Sequence, residues 1–236
     1  MQEKRLILIK YLDELRKKIM ISALVVALGS ILCYFYVDKI VKFLLKPGGG
    51  LQFIYLSPGD LFLTYIKISL IAGVVITLPI LLYQIWQLIL PSMKAKQKFY
   101  IILTNLLSMA FFITGAVFAY YIILPLTINF FIKTSRVKIE PLLSFDNYTG
   151  FVASILLAFG VAFQLPILIM LLTQFNLVTP SFLKKFRKVF ILIIFVVAAI
   201  LTPPDVISQC LLAIPMVILL ELSIITSSLI YKRKKI

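Results

Sequence analysis

The chain has 236 residues, of which 62% are hydrophobic, and it carries a net charge of +15 with no histidine. Soluble domains are roughly half apolar, so a mean hydropathy of +1.09 excludes a soluble fold and points to an integral membrane protein. Without histidine, and with Cys33 and Cys210 isolated in separate apolar runs, His-dependent triads, metal clusters and a disulfide framework are excluded. No catalytic residue, metal or cofactor is therefore expected, and the chain does not read as an enzyme.

No linker or repeat divides the sequence, so residues 1–236 read as one membrane domain. Basic residues precede a first apolar run, Ile19–Val37. That run exceeds the 7–15 residues of a signal-peptide core, and predicts an uncleaved first helix. Next, Lys39, Lys42 and Lys46 share one helical face while Ile40, Val41, Phe43, Leu44 and Leu45 cover the rest. This pattern predicts a short interfacial helix, ended by Pro47 and three glycines.

Ser57-Pro58-Gly59-Asp60 reads as a helix start: a hydroxyl N-cap, Pro at the first helical position and an acid in the first turn. The second run, Ile68–Leu90, fits one crossing; the third, Ile101–Ile132, exceeds one and is expected to tilt or leave the membrane near Pro125. The fourth, Phe151–Thr173, carries Gln164 two residues before Pro166. Thr179-Pro180 predicts the start of the fifth helix, ahead of its apolar part Val189–Leu201.

That fifth run has only 13 residues, and the sixth, Val206–Ile230, offers 15 before Glu221. Both are short against the roughly 20 residues needed to cross the hydrocarbon core, so a shallow hairpin or a thinned bilayer is expected. Thr202-Pro203-Pro204-Asp205 repeats the capping logic of the second helix and makes Asp205, like Asp60, a helix-starting acid. Of the 24 Lys and Arg, 17 fall in alternate segments beginning with the N-terminal one and 7 in the others. The positive-inside rule then gives six spans, with short fifth and sixth helices and both termini inside. The same placement in short inter-helix segments makes the charge a topology signal and argues against a nucleic-acid partner.

Three polar groups stand out. Asp13, Glu14 and Arg16 lie just before the first helix, where local pairing with Lys10, Lys17 or Lys18 competes with a binding role. Gln164 is an amide inside an apolar run, suited to packing between helices or to contact with another subunit. Glu221 is a carboxylate among uncharged neighbours, expected to be protonated, paired, in a wet cavity, or reaching toward Lys232 or Arg233.

Five ordered stretches resemble the TatC family, the polytopic core of the twin-arginine protein translocase. They are YLDELRKKI, SPGDLFLTYIKISL, LPILLYQIWQLILPSM, FGVAFQLP and LTPPDVISQCLLAIPM with the following LLELS. The resemblance implies a cupped bundle that receives twin-arginine signal peptides and supports transport of folded proteins driven by the proton-motive force. It implies TatA-type and, in many systems, TatB-type single-span partners, and a homo-oligomer within the complex.

Carried over by motif, signal binding falls on Asp13, Glu14, Arg16 and Gln97, and partner contact on Gln164, Pro166 and Glu221. Outer-loop roles fall on Pro47, Asp60, Pro203 and Asp205. The sequence departs from the family pattern at Tyr11, where a histidine is usual, and at Gln97 and Gln164, where glutamates are usual. Abundant Ile, Lys, Phe and Tyr suggest an AT-rich, organelle-borne gene and favour the mitochondrial inner membrane over a plastid thylakoid or a bacterial plasma membrane. A small secondary transporter and a non-transporting assembly scaffold are the alternative readings.

Overall fold

The computed structural model describes residues 2–49, 51–55, 57–89, 98–134, 142–202 and 206–235. It is almost wholly helical, and five helices are long and apolar enough to cross a membrane: Leu12–Phe35, Gly59–Ile85, Ile102–Ile132, Phe145–Gln174 and Val206–Arg233. They belong to α1 (Gln2–Phe35), α3 (Pro58–Ile89), α4 with α5 (Lys98–Phe118, Leu124–Thr134), α6 with α7 (Phe145–Ala162, Leu165–Gln174) and α10 (Val206–Lys235). Between the last two lie α8 (Pro180–Lys185) and α9 (Arg187–Leu201). At 15 residues α9 is the short fifth helix the sequence predicts.

The first two spans meet through small residues. A Cβ on Gly73 would stand 2.6 Å from the backbone nitrogen of Ser30, and one on Gly29 would stand 2.7 Å from Thr77 Cγ2. In lipid, close backbone approach of this kind replaces the hydrophobic effect as the source of helix association. The α1–α3 pair is the most extensive in the bundle, and a part-buried hydrogen bond from Ser22 Oγ to Gln84 Oε1 adds to it.

One end of the bundle is capped. Helix α2 (Val37–Leu45) buries Val37, Val41 and Leu44 and leaves Lys39 and Lys42 exposed, as its amphipathic pattern predicts. Pro47 lies in the 3-10 turn Lys46–Gly48 that follows, and Gly49 closes it with φ of +46°, a left-handed conformation open to glycine at little cost. Strand β1 (Gln52–Ile54) then pairs in parallel with β2 (Leu142–Ser144), in the register Phe53 to Leu143. This two-stranded ribbon joins two loops far apart in sequence, and periodicity alone does not reveal it.

The long third run keeps its helix but changes its winding. Residues Ala119–Ile123 form one π-helical turn between α4 and α5. Pro125 has no N–H to return to the preceding turn, and a π-turn relieves that mismatch. The turn delivers Tyr120 to the cap, where its hydroxyl donates to Phe43 O at 2.9 Å and its ring stacks on Phe43 at 4.3 Å. Aromatic stacking thus seats α2 on the third span.

Pro166 acts similarly in the fourth span, where α6 and α7 are separated by a break at Phe163 and Gln164. The start of α6 is tied to α3 by Asp146, which accepts from Thr64 Oγ1 at 2.8 Å and from Lys67 Nζ at 2.8 and 2.9 Å. Of the N-cap readings, Ser57 starts α3 as expected, and Thr179 starts the separate α8 instead of the fifth helix itself. Thr202 ends α9, its hydroxyl donating to Ala198 O at 2.9 Å. Ser57 Oγ accepts from Asp60 N at 3.2 Å, and Thr179 Oγ1 accepts from Phe182 N at 3.3 Å.

The sixth helix needs a correction. It runs unbroken for 30 residues, and only the part ahead of Glu221 is short. A charge does not end a helix when a partner compensates it, and Glu221 has one.

Candidate functional site

Glu221 meets Arg187, the first residue of α9, with 2.5 Å between Oε1 and Nε. The contact is an ion pair whose N–H is not aligned as a hydrogen bond on Oε1. From Val206 to Glu221, α10 rises about 22 Å, and from Arg187 to Leu201, α9 rises about 21 Å. The pair therefore closes the open end of a hairpin whose turn holds Thr202. A further bond from Gln209 Nε2 to Phe195 O at 3.0 Å ties its two arms together.

This hairpin is shallower than the roughly 30 Å hydrocarbon core. Beyond Glu221, α10 leaves α9 and packs on α7, where Thr173 Oγ1 and Ser227 Oγ share a buried hydrogen bond of 2.7 Å. Glu221 is thus paired across the hairpin with Arg187, rather than along its own helix with Lys232 or Arg233.

The second polar locus lies where α7 begins. Gln164 Nε2 donates to Ser108 O of α4 at 2.8 Å. Its Oε1 has no partner among the described residues, nor have Ser108 Oγ and Asn105 Oδ1, and all three atoms are buried. Asn105 and Ser108 are three apart on α4 and so share a face. A buried polar atom left unmade costs about 1–3 kcal/mol, so three acceptor-capable atoms close together are a standing demand for donors. Sequence reading singled out Gln164 and missed Asn105 and Ser108; their spacing in an apolar run was the available signal.

At the other end of the chain, α1 continues as helix back to Gln2, so Asp13, Glu14 and Arg16 lie on a helical extension of the first span. All three side chains are exposed. Among the described residues neither carboxylate forms a salt bridge, so the expected competing pairs with Lys17 and Lys18 are not made. These residues are remote in sequence from Gln164 and Glu221, and among the described residues no salt bridge joins them. Gln97, Pro203 and Asp205 lie outside the described residues. Of the outer-loop group, Pro47 shapes the turn below α2, and Asp60 puts negative charge in the first turn of α3.

A profile for the Sec-independent protein translocase protein TatC matches residues 10–215. The chain belongs to the TatC family. It is 36% identical over 230 residues to the TatC protein of Desulforapulum autotrophicum, covering 95% of this chain and 85% of that one. Against the TatC protein of Aquifex aeolicus it is 38% identical over 234 residues, covering 97% of each. A crystal structure described as the twin-arginine translocase receptor TatC superposes with a TM-score of 0.86 at 38% identity, covering 93% of this chain and 99% of that one. The largely helical, multi-pass architecture of this TatC-family protein agrees with that likeness.

Proposed function

We propose that this chain is the signal-receiving subunit of a twin-arginine translocase, holding the paired arginines of a precursor on the carboxylates of Asp13 and Glu14. The observation that carries this reading is their exposure, with no salt bridge among the described residues, on the N-terminal part of α1. Paired guanidinium groups need charge-assisted acceptors held in place, and a helix rooted against α3 supplies them. Arg16 belongs to the same surface of α1, and Gln97 offers a neutral acceptor. Six crossings with both termini inside, as the Lys and Arg distribution supports, place this end where precursors arrive.

The buried acceptors at Gln164, Ser108 and Asn105 support contact with the polar positions of TatA-type and TatB-type single-span partners. With glutamine in place of the family's usual glutamate, that contact is a neutral hydrogen bond instead of a charge pair. Glu221 with Arg187 holds the α9–α10 hairpin that such partners flank, and Pro166 sets the break that aims Gln164. Assembly into a homo-oligomeric complex within an energy-transducing membrane, driven by the proton-motive force, completes the reading. The amino-acid bias supports the mitochondrial inner membrane, and the two bacterial relatives support a plasma membrane.

Photocrosslinking from the Glu14 position to a twin-arginine precursor, alongside its twin-lysine version, tests the proposal. Strong capture of the first and little of the second is expected. Equal capture of both sinks the receptor role at this site.

A further inference from the structure

The capped end of the bundle holds an apolar cleft that none of these roles uses. It has a volume of about 490 Å³, with Val75, Pro79, Met109 and Ile113 along its walls and Phe43 and Tyr120 at one end. No charged side chain lines it. From Tyr120 to Met109 the third span descends about 16 Å, close to the roughly 15 Å of hydrocarbon in one leaflet. The cleft therefore runs from the interfacial helix α2 to about the middle of the membrane.

Its dimensions select among occupants. A spanning helix would need about 30 Å, about twice the length of the cleft. The cavity is too short for one. One extended hydrocarbon chain reaching the middle of the membrane needs only about 15 Å.

The mouth is charged on one side. Phe43 closes the upper end of the cleft; Lys39 stands one turn before it on the same side of α2, and Lys46 follows three residues on, at the start of the turn Lys46–Gly48. Both are exposed. Lys39 also lies over the Tyr36 ring at 5.3 Å, which holds the ammonium group near the helix surface. The one acid of α2, Asp38, is about 140° around the helix from Phe43 and does not offset them. Aromatic and lysine side chains together at the end of a membrane span mark the headgroup level.

We propose that this cleft is a binding site for one anionic phospholipid, with an acyl chain between α3 and α4 and the phosphate on Lys39 and Lys46. The occupied cleft holds α2 against the π-turn of the third span and so stiffens the cap. This site is separate from the signal and partner loci and stands or falls without them.

The test uses the full chain in nanodiscs of mixed phosphatidylglycerol and phosphatidylcholine, followed by native mass spectrometry of the lipids that remain bound. One retained lipid per chain is expected, with phosphatidylglycerol enriched several-fold over its bulk fraction. K39Q/K46Q, both on exposed positions, should return the retained lipid to the bulk ratio, and Ala116→Trp should reduce retention of both lipids by filling the cleft. No retained lipid, retention in the bulk ratio, or enrichment unchanged by K39Q/K46Q overturns the proposal. So does a photoprobe at Met109 that captures the apolar part of a signal peptide in preference to lipid.

Discussion

Replacing Gly73 with alanine adds one methyl group, and it should loosen the protein that an equivalent change at Gly150 leaves intact. The new Cβ at position 73 would lie 2.3 Å from Ser30 Oγ, 2.6 Å from Ser30 N and 2.7 Å from Ser30 Cα. The hydroxyl can rotate away, but the backbone nitrogen cannot. Reaching an ordinary 3.4 Å contact needs the two helices to part by about 0.8 Å at their crossing. A gap of that size forfeits a quarter to a half of each affected dispersion contact, and overpacking of this kind costs about 1–3 kcal/mol.

Alanine returns about 0.5–1 kcal/mol of helix stability relative to glycine, so the net loss at position 73 is on the order of 1 kcal/mol. At Gly150 a Cβ meets nothing within 4 Å, so only the helix term remains and the sign reverses. Cys33, buried on α1 one turn past Gly29, reports the opening. In a Cys210→Ser background, maleimide labelling of Cys33 should quicken up to about tenfold in G73A, since 1.4 kcal/mol is a factor of ten. It should stay unchanged or slow in G150A. Labelling of G73A at the parent rate refutes the close-approach account of how α1 is seated.

Charge reversal at one member of the Arg187–Glu221 pair should destabilise the chain, and R187E/E221R together should recover most of the loss. A thermal-unfolding double-mutant cycle should show coupling on the order of 1 kcal/mol, and additive singles contradict the pairing. Tyr120→Phe removes the donor to Phe43 O, a loss of about 0.5–1.5 kcal/mol. Hydrogen exchange of α2 amides should accelerate while α10 is unaffected, and equal protection of α2 in both proteins contradicts its anchoring by Tyr120. Gln164→Leu removes an unpaired buried acceptor, so the isolated chain should unfold within about 1 kcal/mol of the parent. Recovery of TatA-type or TatB-type subunits with it should nevertheless fall, and full recovery removes Gln164 from the partner contact.

Much of this fold is legible in the residues because lipid imposes a simple rule: long apolar runs must become helices. The α2 amphipathic pattern, the Ser57 and Thr179 caps and the short α9 all follow from local chemistry. What escapes is pairing at a distance. Nothing near Gln52 announces a parallel partner at Leu142, and nothing near Glu221 names Arg187, because both contacts depend on how helices return through the membrane. Pro125 signals a disturbance without saying that the helix absorbs it as a π-turn. At the candidate sites, sequence found the titratable and amide side chains. It missed Ser108 and Asn105, whose importance comes only from being buried without partners.

The receptor reading rests on two exposed carboxylates on the N-terminal part of α1. Binding of a fluorescent twin-arginine signal peptide to the purified full chain, measured against its twin-lysine counterpart for parent and D13N/E14Q, tests it most directly. The account predicts tighter binding of the twin-arginine peptide, weakened by added salt, and a loss of that preference in D13N/E14Q with folding unchanged. A preference that survives neutralisation of both carboxylates contradicts it.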